Sequence, residues 1–406
     1  MEYRINRLGH QGDGIADGPV YAPLTLPGEV VTGRLEGERL QDIRIVTPSE
    51  DRVKPPCRHF KSCGGCQVMH ASDDFVAAWK TDVIRRALEA QGIAAPMRPI
   101  LTSPEQSRRR AGFAARRTKS GALVGFHGRA SDTIVEIPDC RLIAPALREG
   151  IEVARDAALC GGSRKAVLSV LVSDSLEGLD VAVTGGKPLD QALLTELAAL
   201  TERHRLARLT WDGEGIAMRA APTIAVGAAR ISPPPGAFLQ ATEHGQASLI
   251  SAMREALSGA SSVVDLFAGC GTFSLPLAQS AEVHAVESEA AMLQALDLGW
   301  RHASGVKKVT TEVRDLFRNP ILPEDLKGFD GVVIDPPRAG AEAQCQKLAL
   351  AQIPRIGFVS CNPVTFARDA KVLIDGGYDM LWVQAVDQFR WSTHVELAAS
   401  FRLSHM

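Results

Sequence analysis

Short runs of β-branched and apolar residues alternate with helical segments throughout the C-terminal part of the chain. A helical pattern separates each run from the next, and the clearest runs are residues 262–265, 282–287, 331–335 and 355–360. Strands that alternate with helices in this way are typical of a doubly wound parallel sheet. The pattern therefore predicts an α/β domain, which we place at residues 236–406, after the proline-rich segment that ends at Gly236.

The preceding part of the chain predicts two other domains. Residues 1–52 combine short apolar runs with glycine and proline turns, which is typical of a small β-barrel. Residues 53–235 mix β-rich runs with helical stretches and are expected to form a mixed α+β central domain. Within it, apolar residues recur at helical spacing over residues 74–91. The apolar face of this helix is available to pack on the domain at 236–406.

Composition excludes some classes of protein. No stretch approaches the roughly 20 apolar residues of a membrane helix, and no apolar signal segment follows Met1. We therefore expect a cytoplasmic monomer without a membrane partner. The net charge of -2 gives no general sign of nucleic-acid binding, so RNA binding would depend on clusters such as Arg108-Arg109-Arg110. A solvated charged face would explain that cluster equally well.

A glycine-rich turn follows the first strand of the predicted sheet. It reads Asp265-Leu266-Phe267-Ala268-Gly269-Cys270-Gly271-Thr272-Phe273, and its glycines allow a ligand to approach the backbone. The next strand ends at Glu287, where a carboxylate can accept hydrogen bonds from both hydroxyls of a ribose. Ser274 stands where a dinucleotide enzyme would carry its third glycine. The turn therefore favours S-adenosylmethionine over NAD. We also expect Asp315, at the end of the following strand, to lie near the adenine.

Two further loops follow strands of the same sheet, where ligands bind in open α/β folds. In Asp335-Pro336-Pro337-Arg338 the prolines stiffen the loop and direct a carboxylate into the crevice. In Ser360-Cys361-Asn362-Pro363 the cysteine precedes a helix start capped by Asn362. The helix N-terminus is expected to lower the pKa of the Cys361 thiol and make it a nucleophile. An ordinary proline turn and an inert buried cysteine are the alternatives.

Glu396 lies in an alternating strand near the C-terminus, on the face opposite its apolar neighbours. It is a candidate general base. A solvated strand carboxylate is the alternative interpretation.

Four of the eight cysteines are spaced as metal ligands. Cys57, Cys63 and Cys66 lie within ten residues, and 73 residues separate Cys66 from Cys140. Four thiolates suit either tetrahedral zinc or a 4Fe-4S cluster. The spacing lacks the paired two-residue intervals of zinc ribbons and the C-x3-C-x2-C of radical enzymes. We expect the isolated Cys160, Cys270 and Cys345 to be small buried side chains.

Taken together, these motifs resemble the RNA uracil-C5 methyltransferase family, and within it the branch that carries an iron-sulfur cluster and modifies 23S ribosomal RNA. The resemblance also includes a TRAM-like opening to the chain, Cys-Gly-Gly-Cys-Gln at 63–67 and Phe238-Leu239-Gln240. It implies a class I, Rossmann-like methyltransferase domain and a 4Fe-4S cluster on Cys57, Cys63, Cys66 and Cys140. It also implies that S-adenosylmethionine contacts Gln240, Phe267, Thr272, Glu287, Asp315 and Asp335.

The family resemblance implies covalent catalysis on a uridine in RNA. Cys361 would add to carbon 6, and Glu396 would remove the carbon-5 proton after methyl transfer. The uridine would be flipped out of an RNA loop. Two departures stand out, because Thr242 replaces a usual asparagine and Ser107 an aromatic residue. The alternatives are a transfer RNA substrate, a methyltransferase with another type of substrate, or an RNA-binding protein with a decayed catalytic domain.

Overall fold

A computed structural model describes residues 1–404, and it begins with a small closed barrel. The strand order is β1-β2-β3-β5-β4. Ile5, Val31 and Leu40 are among the buried side chains that fill the interior. The strands are β1 (Glu2–Leu8), β2 (Gly14–Ala16), β3 (Val20–Ala22), β4 (Val30–Glu36) and β5 (Arg39–Thr47).

A long helix, α1 (Asp73–Glu89), links the barrel to the C-terminal sheet. Ser72 caps it by accepting a hydrogen bond from the backbone N–H of Phe75. Trp79 of α1 packs in one cluster with barrel residues, whereas Ile84 packs in the core of the C-terminal sheet. The next strand, β6 (Met97–Thr102), joins the edge of that C-terminal sheet. Residues 97–102 thus belong to a sheet outside the domain to which their position in the sequence assigned them.

The central region is a seven-stranded sheet in the order β13-β12-β11-β10-β7-β8-β9. Apolar residues of two helices, α2 (Glu149–Gly161) and α3 (Gln191–Arg203), share its hydrophobic core. The strands are β7 (Arg110–Arg117), β8 (Ala122–His127), β9 (Ile134–Glu136), β10 (Leu168–Ser175), β11 (Gly178–Thr184), β12 (Arg208–Trp211) and β13 (Glu214–Met218). A 3-10 helix at Pro145–Arg148 precedes α2, and a hairpin of β14 (Ile224–Val226) and β15 (Ala229–Ile231) leads to the next domain.

The C-terminal sheet has eight strands in the order β18-β17-β16-β19-β20-β22-β21-β6. Its strands are β16 (Ser262–Leu266), β17 (Glu282–Glu287), β18 (Val309–Val313), β19 (Gly331–Ile334), β20 (Arg355–Ser360), β21 (Tyr378–Asp387) and β22 (Glu396–Leu403). Its helices are α4 (Glu243–Ala256), α5 (Ser274–Leu277), α6 (Ala290–His302), α7 (Glu342–Ala351) and α8 (Pro363–Asp375). All strand pairs from β18 to β20 are parallel, and β22 runs antiparallel to its neighbours.

This architecture confirms the predicted fold class of an N-terminal barrel, a mixed central part and a C-terminal α/β domain. The strand order reverses between β16 and β19, the position at which open α/β sheets bind ligands beyond the carboxyl ends of their strands. Among residues 1–404, no helix has the length and apolar character needed to cross a membrane.

Candidate active site

Three loops meet at the carboxyl ends of β16, β19 and β20. The backbone N–H of Asp335 donates to the carbonyl of Leu266 at 3.2 Å, which joins the loops after β16 and β19. The side-chain amide of Asn362 donates to the carbonyl of Arg338 at 2.9 Å, which joins the loops after β19 and β20. The fold thus brings the predicted cofactor turn, Asp335 and Cys361 to one crevice.

The register of β20 and β22 places Cys361 across from Glu396. Ser360 pairs with Leu397 in this antiparallel ladder, so the next residue of β20 faces the preceding residue of β22. Glu396 is only 3% exposed, which rules out the solvated carboxylate that the sequence left open. The Asn362 side chain accepts from the backbone N–H of Val364, so the predicted cap of α8 is present.

The electrostatic expectation for Cys361 was wrong. Burial, together with the carboxyl groups of Glu396 and Asp335, raises the pKa of the thiol to about 11, although Arg338 partly opposes this. These effects outweigh the partial positive charge of the helix N-terminus, which acts over only one turn. The thiol is therefore protonated at neutral pH in the free protein.

The carboxyl groups around Cys361 have perturbed pKa values. Burial, and to a lesser extent the charge of Asp335, raises the pKa of Glu396 to about 8, while a hydrogen bond from Gln388 lowers it. Burial next to Asp265 raises the pKa of Asp335 to about 7. Titratable groups with pKa values shifted this far, gathered in a cleft, are typical of active sites.

Gln388 is a side chain that the sequence gave no reason to select. It is 1% exposed and lies in the loop between β21 and β22. Its Nε2 donates to Oε1 of Gln240 at 2.6 Å and also to Oε2 of Glu396. Its Oε1 accepts from the backbone N–H of Ala241 at 2.8 Å. Gln240 and Glu396, which are 156 residues apart in the sequence, are thus joined through one amide.

The turn after β16 has the shape of a ligand cradle. Phe267, Gly269 and Gly271 all adopt positive φ angles, of 62°, 55° and 88°. A Cβ atom built on Gly269 would have no neighbour within 4 Å, so open space lies in front of this backbone. Thr272 follows in the same turn and is partly buried. These features fit the approach of a ligand such as S-adenosylmethionine.

Two acidic residues lie at the ends of the neighbouring strands β17 and β18. Oε2 of Glu287 accepts from the backbone N–H of Gly269 at 3.0 Å, which fixes the carboxylate beside the turn. Oδ1 of Asp315 accepts from the backbone N–H of Phe317 at 3.0 Å, so one of its oxygens stabilises its own loop. The rings of Phe267 and Phe317 lie 5.4 Å apart between centroids, and this aromatic pair was not predicted.

All four predicted cluster cysteines line one small cavity between the cysteine-rich loop and the central sheet. None of them forms a disulfide. Burial, followed by the proximity of the other three thiols, raises the pKa of Cys66 to about 12. However, residues 1–404 contain no group of three or more His, Cys, Asp or Glu side chains that is already arranged to hold a metal ion. The cysteines are therefore gathered, but the cluster remains a prediction.

The loop after Cys66 contacts the loop that leads to Glu396. The backbone N–H groups of Gln67 and Val68 donate to the carbonyl of Trp391 at 2.8 and 3.0 Å. Trp391 has a φ of 61°, a left-handed conformation that a bulky side chain rarely adopts. A Cβ atom on Gly12 of the barrel would lie 3.0 Å from Thr393 in the same loop. The barrel and the cysteine loop thus both brace the loop before Glu396.

The residues around the arginine cluster have local structural roles. Arg109 is 6% exposed, and its Nη2 donates to Gln246 at 2.7 Å, so it links the segment just before β7 to α4 rather than facing solvent. Thr242 caps α4 by accepting from the backbone N–H of Gly245 at 2.8 Å. Ser107 donates to the carbonyl of Pro104 at 2.7 Å. Arg109 is therefore not part of a solvated charged face, which was one of the two interpretations of the cluster.

Comparison with known proteins decides the family. The family model described as tRNA (Uracil-5-)-methyltransferase matches residues 234–402. An uncharacterized RNA methyltransferase of Mesorhizobium japonicum is 42% identical over 402 residues, which cover 98% of this chain and 97% of the relative. The chain belongs to the RNA uracil-C5 methyltransferase family. This methyltransferase is therefore an enzyme that acts on RNA with S-adenosylmethionine as its cofactor.

Two individual enzymes also resemble this methyltransferase, one in sequence and one in structure. The 23S rRNA (uracil(1939)-C(5))-methyltransferase RlmD of Halomonas elongata is 33% identical to this methyltransferase over 426 residues, which cover 97% of this chain and 88% of the relative. The crystal structure of the tRNA (uracil-54, C5)-methyltransferase of Pyrococcus abyssi with S-adenosyl-L-homocysteine has a TM-score of 0.78. It is 24% identical, and the match covers 99% of both chains. This structure shows that the two proteins share a fold.

Proposed function

We propose that this enzyme methylates carbon 5 of one uridine in 23S ribosomal RNA through a covalent adduct on Cys361. The placement of Cys361 across from the buried Glu396, with Asp335 on the adjacent loop, carries this proposal. Among the named relatives, the enzyme from Halomonas elongata supports a 23S substrate. Because the family model and the Pyrococcus abyssi enzyme are both named for transfer RNA, a transfer RNA uridine is the second candidate. We also propose that the protein acts as a cytoplasmic monomer.

Cys361 carries the first step. The sulfur of its thiolate adds to carbon 6 of the uracil, and the electrons of the ring double bond move to carbon 5 and the carbonyl oxygen at carbon 4. S-adenosylmethionine, when bound, would supply an electrophilic methyl group on a positively charged sulfonium, and the electron pair of the S–CH3 bond would stay on sulfur to leave neutral S-adenosylhomocysteine. A positive charge in the crevice favours the thiolate that Glu396 and Asp335 disfavour. We therefore expect Cys361 to lose its proton to solvent in the complex with the cofactor rather than in the free enzyme.

Glu396 carries the last step. After carbon 5 has formed its bond to the methyl group, the carboxylate of Glu396 takes the carbon-5 proton. The electron pair of that C–H bond restores the ring double bond, and the Cys361 sulfur leaves carbon 6 with its own electron pair. The target uridine must leave its stack to reach this crevice, so we expect a flipped base in an RNA loop.

Six residues are proposed to hold the cofactor. Gly269 has open space in front of it, and the neighbouring Glu287 is suitably placed to accept hydrogen bonds from ribose hydroxyls. Asp335 lies next to Cys361 and bears the carboxylate best placed to face the sulfonium. The proposed set is Gln240, Phe267, Thr272, Glu287, Asp315 and Asp335.

We propose that Cys57, Cys63, Cys66 and Cys140 hold a 4Fe-4S cluster. Four thiols around one cavity match the number of ligands that such a cluster requires, and thiols this close together are stabilised as thiolates only by a nearby cation. When bound, the cluster would supply cross-links between the cysteine loop and the central sheet. Gln67 and Val68, which follow Cys66, hold the Trp391 carbonyl in the loop before Glu396. The role of the cluster would therefore be structural.

Metal analysis of protein purified without oxygen tests the cluster proposal. We expect about four iron atoms and matching acid-labile sulfide per chain. Replacing Cys66 by serine should remove most of both, whereas the same change at Cys160, a free cysteine of α2, should not. Zinc in place of iron, or equal metal content in the two variants, would contradict the proposal.

Substrate choice is tested with RNA from a strain that lacks the gene. The purified enzyme should transfer a labelled methyl group to one position of 23S ribosomal RNA and not to transfer RNA from the same cells. Mapping of 5-methyluridine in the two RNA fractions identifies the position. Labelling of transfer RNA alone would replace the 23S proposal with the second candidate.

A further inference from the structure

The side-chain amide of Gln388 has one determined orientation between Gln240, a proposed cofactor contact, and Glu396, the proposed base. The backbone N–H of Ala241 can only donate, so the atom of Gln388 that faces it must be the amide oxygen. The amide nitrogen therefore faces the oxygens of Gln240 and Glu396. All three hydrogen bonds use the amide in one orientation. A flipped amide would place the Gln388 oxygen against the two acceptor oxygens of Gln240 and Glu396, and its NH2 group against the N–H of Ala241.

The loop that carries Gln388 is itself held rigidly. Nζ of Lys80, a fully buried residue of α1, donates to Oδ1 of Asp387 at 2.6 Å and to the carbonyl of Phe389 at 3.1 Å. These two partners are the residues immediately before and after Gln388. The Trp391 carbonyl is held by the cysteine loop on the other side. Gln388 is thus presented by a backbone that α1 and the cysteine loop both keep in place.

We propose that Gln388 is a positioning residue that holds one carboxylate oxygen of Glu396 and the amide oxygen of Gln240, so that base and cofactor keep one relative placement. The inference rests on the proposed function. With one Glu396 oxygen engaged by Gln388, the other is the oxygen available to take the carbon-5 proton. With its oxygen engaged, Gln240 has both N–H donors left for a ligand. The charged and titratable groups close to Glu396 are Asp335, Cys361 and Arg338, and the ion pair of Lys80 and Asp387 lies next to Gln388.

The first consequence concerns proton removal. Without the Gln388 amide, the Glu396 carboxyl is free to rotate, and it loses the hydrogen bond that favours its ionised form. Removal of the carbon-5 proton should slow more than methyl transfer, because only the former uses Glu396. The covalent complex between Cys361 and methylated RNA should then accumulate during turnover. A second consequence is a higher KM for S-adenosylmethionine, since Gln240 is released at the same time.

The test compares Gln388→Met with Gln384→Met. Methionine has nearly the same shape as glutamine but makes no strong hydrogen bond. Gln384 is a matched control, because it is 8% exposed and donates only to the backbone carbonyls of Pro99 and Ala385, and to neither Gln240 nor Glu396. The readouts are tritium release from RNA labelled at carbon 5 of uridine and the fraction of enzyme in a denaturation-resistant RNA complex.

We expect Gln388→Met to lower tritium release by about 10- to 100-fold, which is less than the full contribution of a general base. It should also raise the fraction of covalent complex, and Gln384→Met should resemble the unmodified enzyme in both readouts. If Gln388→Met accumulates no complex, the inference is overturned, even if KM for S-adenosylmethionine rises. Failure of the proposed function is distinguishable, because the unmodified enzyme would then release no tritium at all.

Discussion

Replacing Cys361 by alanine should abolish RNA methylation, with a loss on the order of 10⁶-fold, the scale seen when a covalent nucleophile is removed from a group of residues that act as a unit. Carbon 5 of uracil is a poor nucleophile until a group adds at carbon 6. In the structure, Cys361 is the thiol across from Glu396, at the carboxyl end of β20. Methyl transfer and tritium release from carbon 5 should both disappear, and each is measured with the same labelled RNA.

Cys160→Ala is the matched control for this experiment. Cys160 is a partly buried free cysteine on α2, outside the C-terminal sheet that carries the crevice. The Cys160→Ala variant should keep its methylation activity. Both variants should keep the thermal unfolding midpoint of the parent enzyme within a few degrees. Substantial methylation by Cys361→Ala would contradict covalent catalysis and would favour a methyltransferase that needs no cysteine nucleophile.

Replacing Glu396 by glutamine should stop the reaction after methyl transfer. Glutamine keeps the shape of the side chain and can still accept the hydrogen bond from Gln388, but it cannot take the carbon-5 proton. We expect turnover to fall by about 10²- to 10⁴-fold, the usual contribution of a general base. The stable product should be a complex in which the sulfur of Cys361 remains bonded to a methylated uridine, visible as protein of reduced mobility on a denaturing gel.

The pH dependence of tritium release by the unmodified enzyme provides a second test of Glu396 as the base. A base must be ionised to act, and burial with the charge of Asp335 raises the pKa of Glu396 to about 8. Tritium release under conditions where proton removal limits turnover should therefore increase as the pH rises towards about 8 and then level off. An increase in rate as the pH falls below 7 would contradict the assignment of Glu396 as the base.

Local sequence patterns were enough to locate most of the structural elements. The run at 282–287 is β17 without change, and the helix expected over 74–91 is observed at 73–89. Both segments have a regular apolar period and clear boundaries, so short-range preferences determine them. The crevice could be inferred for the same reason, because Asp335 and Cys361 each follow a parallel strand, and such strand ends lie at one edge of a sheet.

What the sequence did not predict depends on contacts between distant segments. Lys80 meets Asp387 across 307 residues, and Gln388 meets Gln240 across 148, so neither pair leaves a local pattern. The pKa of Cys361 was predicted in the wrong direction because the helix N-terminus was visible in the sequence, whereas the depth of burial and the nearby carboxyl groups were not. The membership of β6 in the C-terminal sheet also depends on long-range pairing.

The cysteines illustrate a different limit. Spacing grouped Cys57, Cys63, Cys66 and Cys140 as metal ligands, and in the structure all four line one cavity. Spacing alone could not distinguish iron-sulfur from zinc, because both take four thiolates and differ in electronic properties that no ligand count reveals. The chemical identity of the metal therefore requires the elemental analysis described above.

The central claim is tested most directly by the composition of the complex trapped by Glu396→Gln. The complex is formed with RNA and methyl-labelled S-adenosylmethionine, digested with protease and nuclease, and analysed by mass spectrometry. We predict one cross-linked peptide that contains Cys361, bonded to a uridine nucleotide that carries the labelled methyl group. A cross-link to any other residue, an unmethylated or different base, or the absence of any adduct would contradict uracil methylation through Cys361.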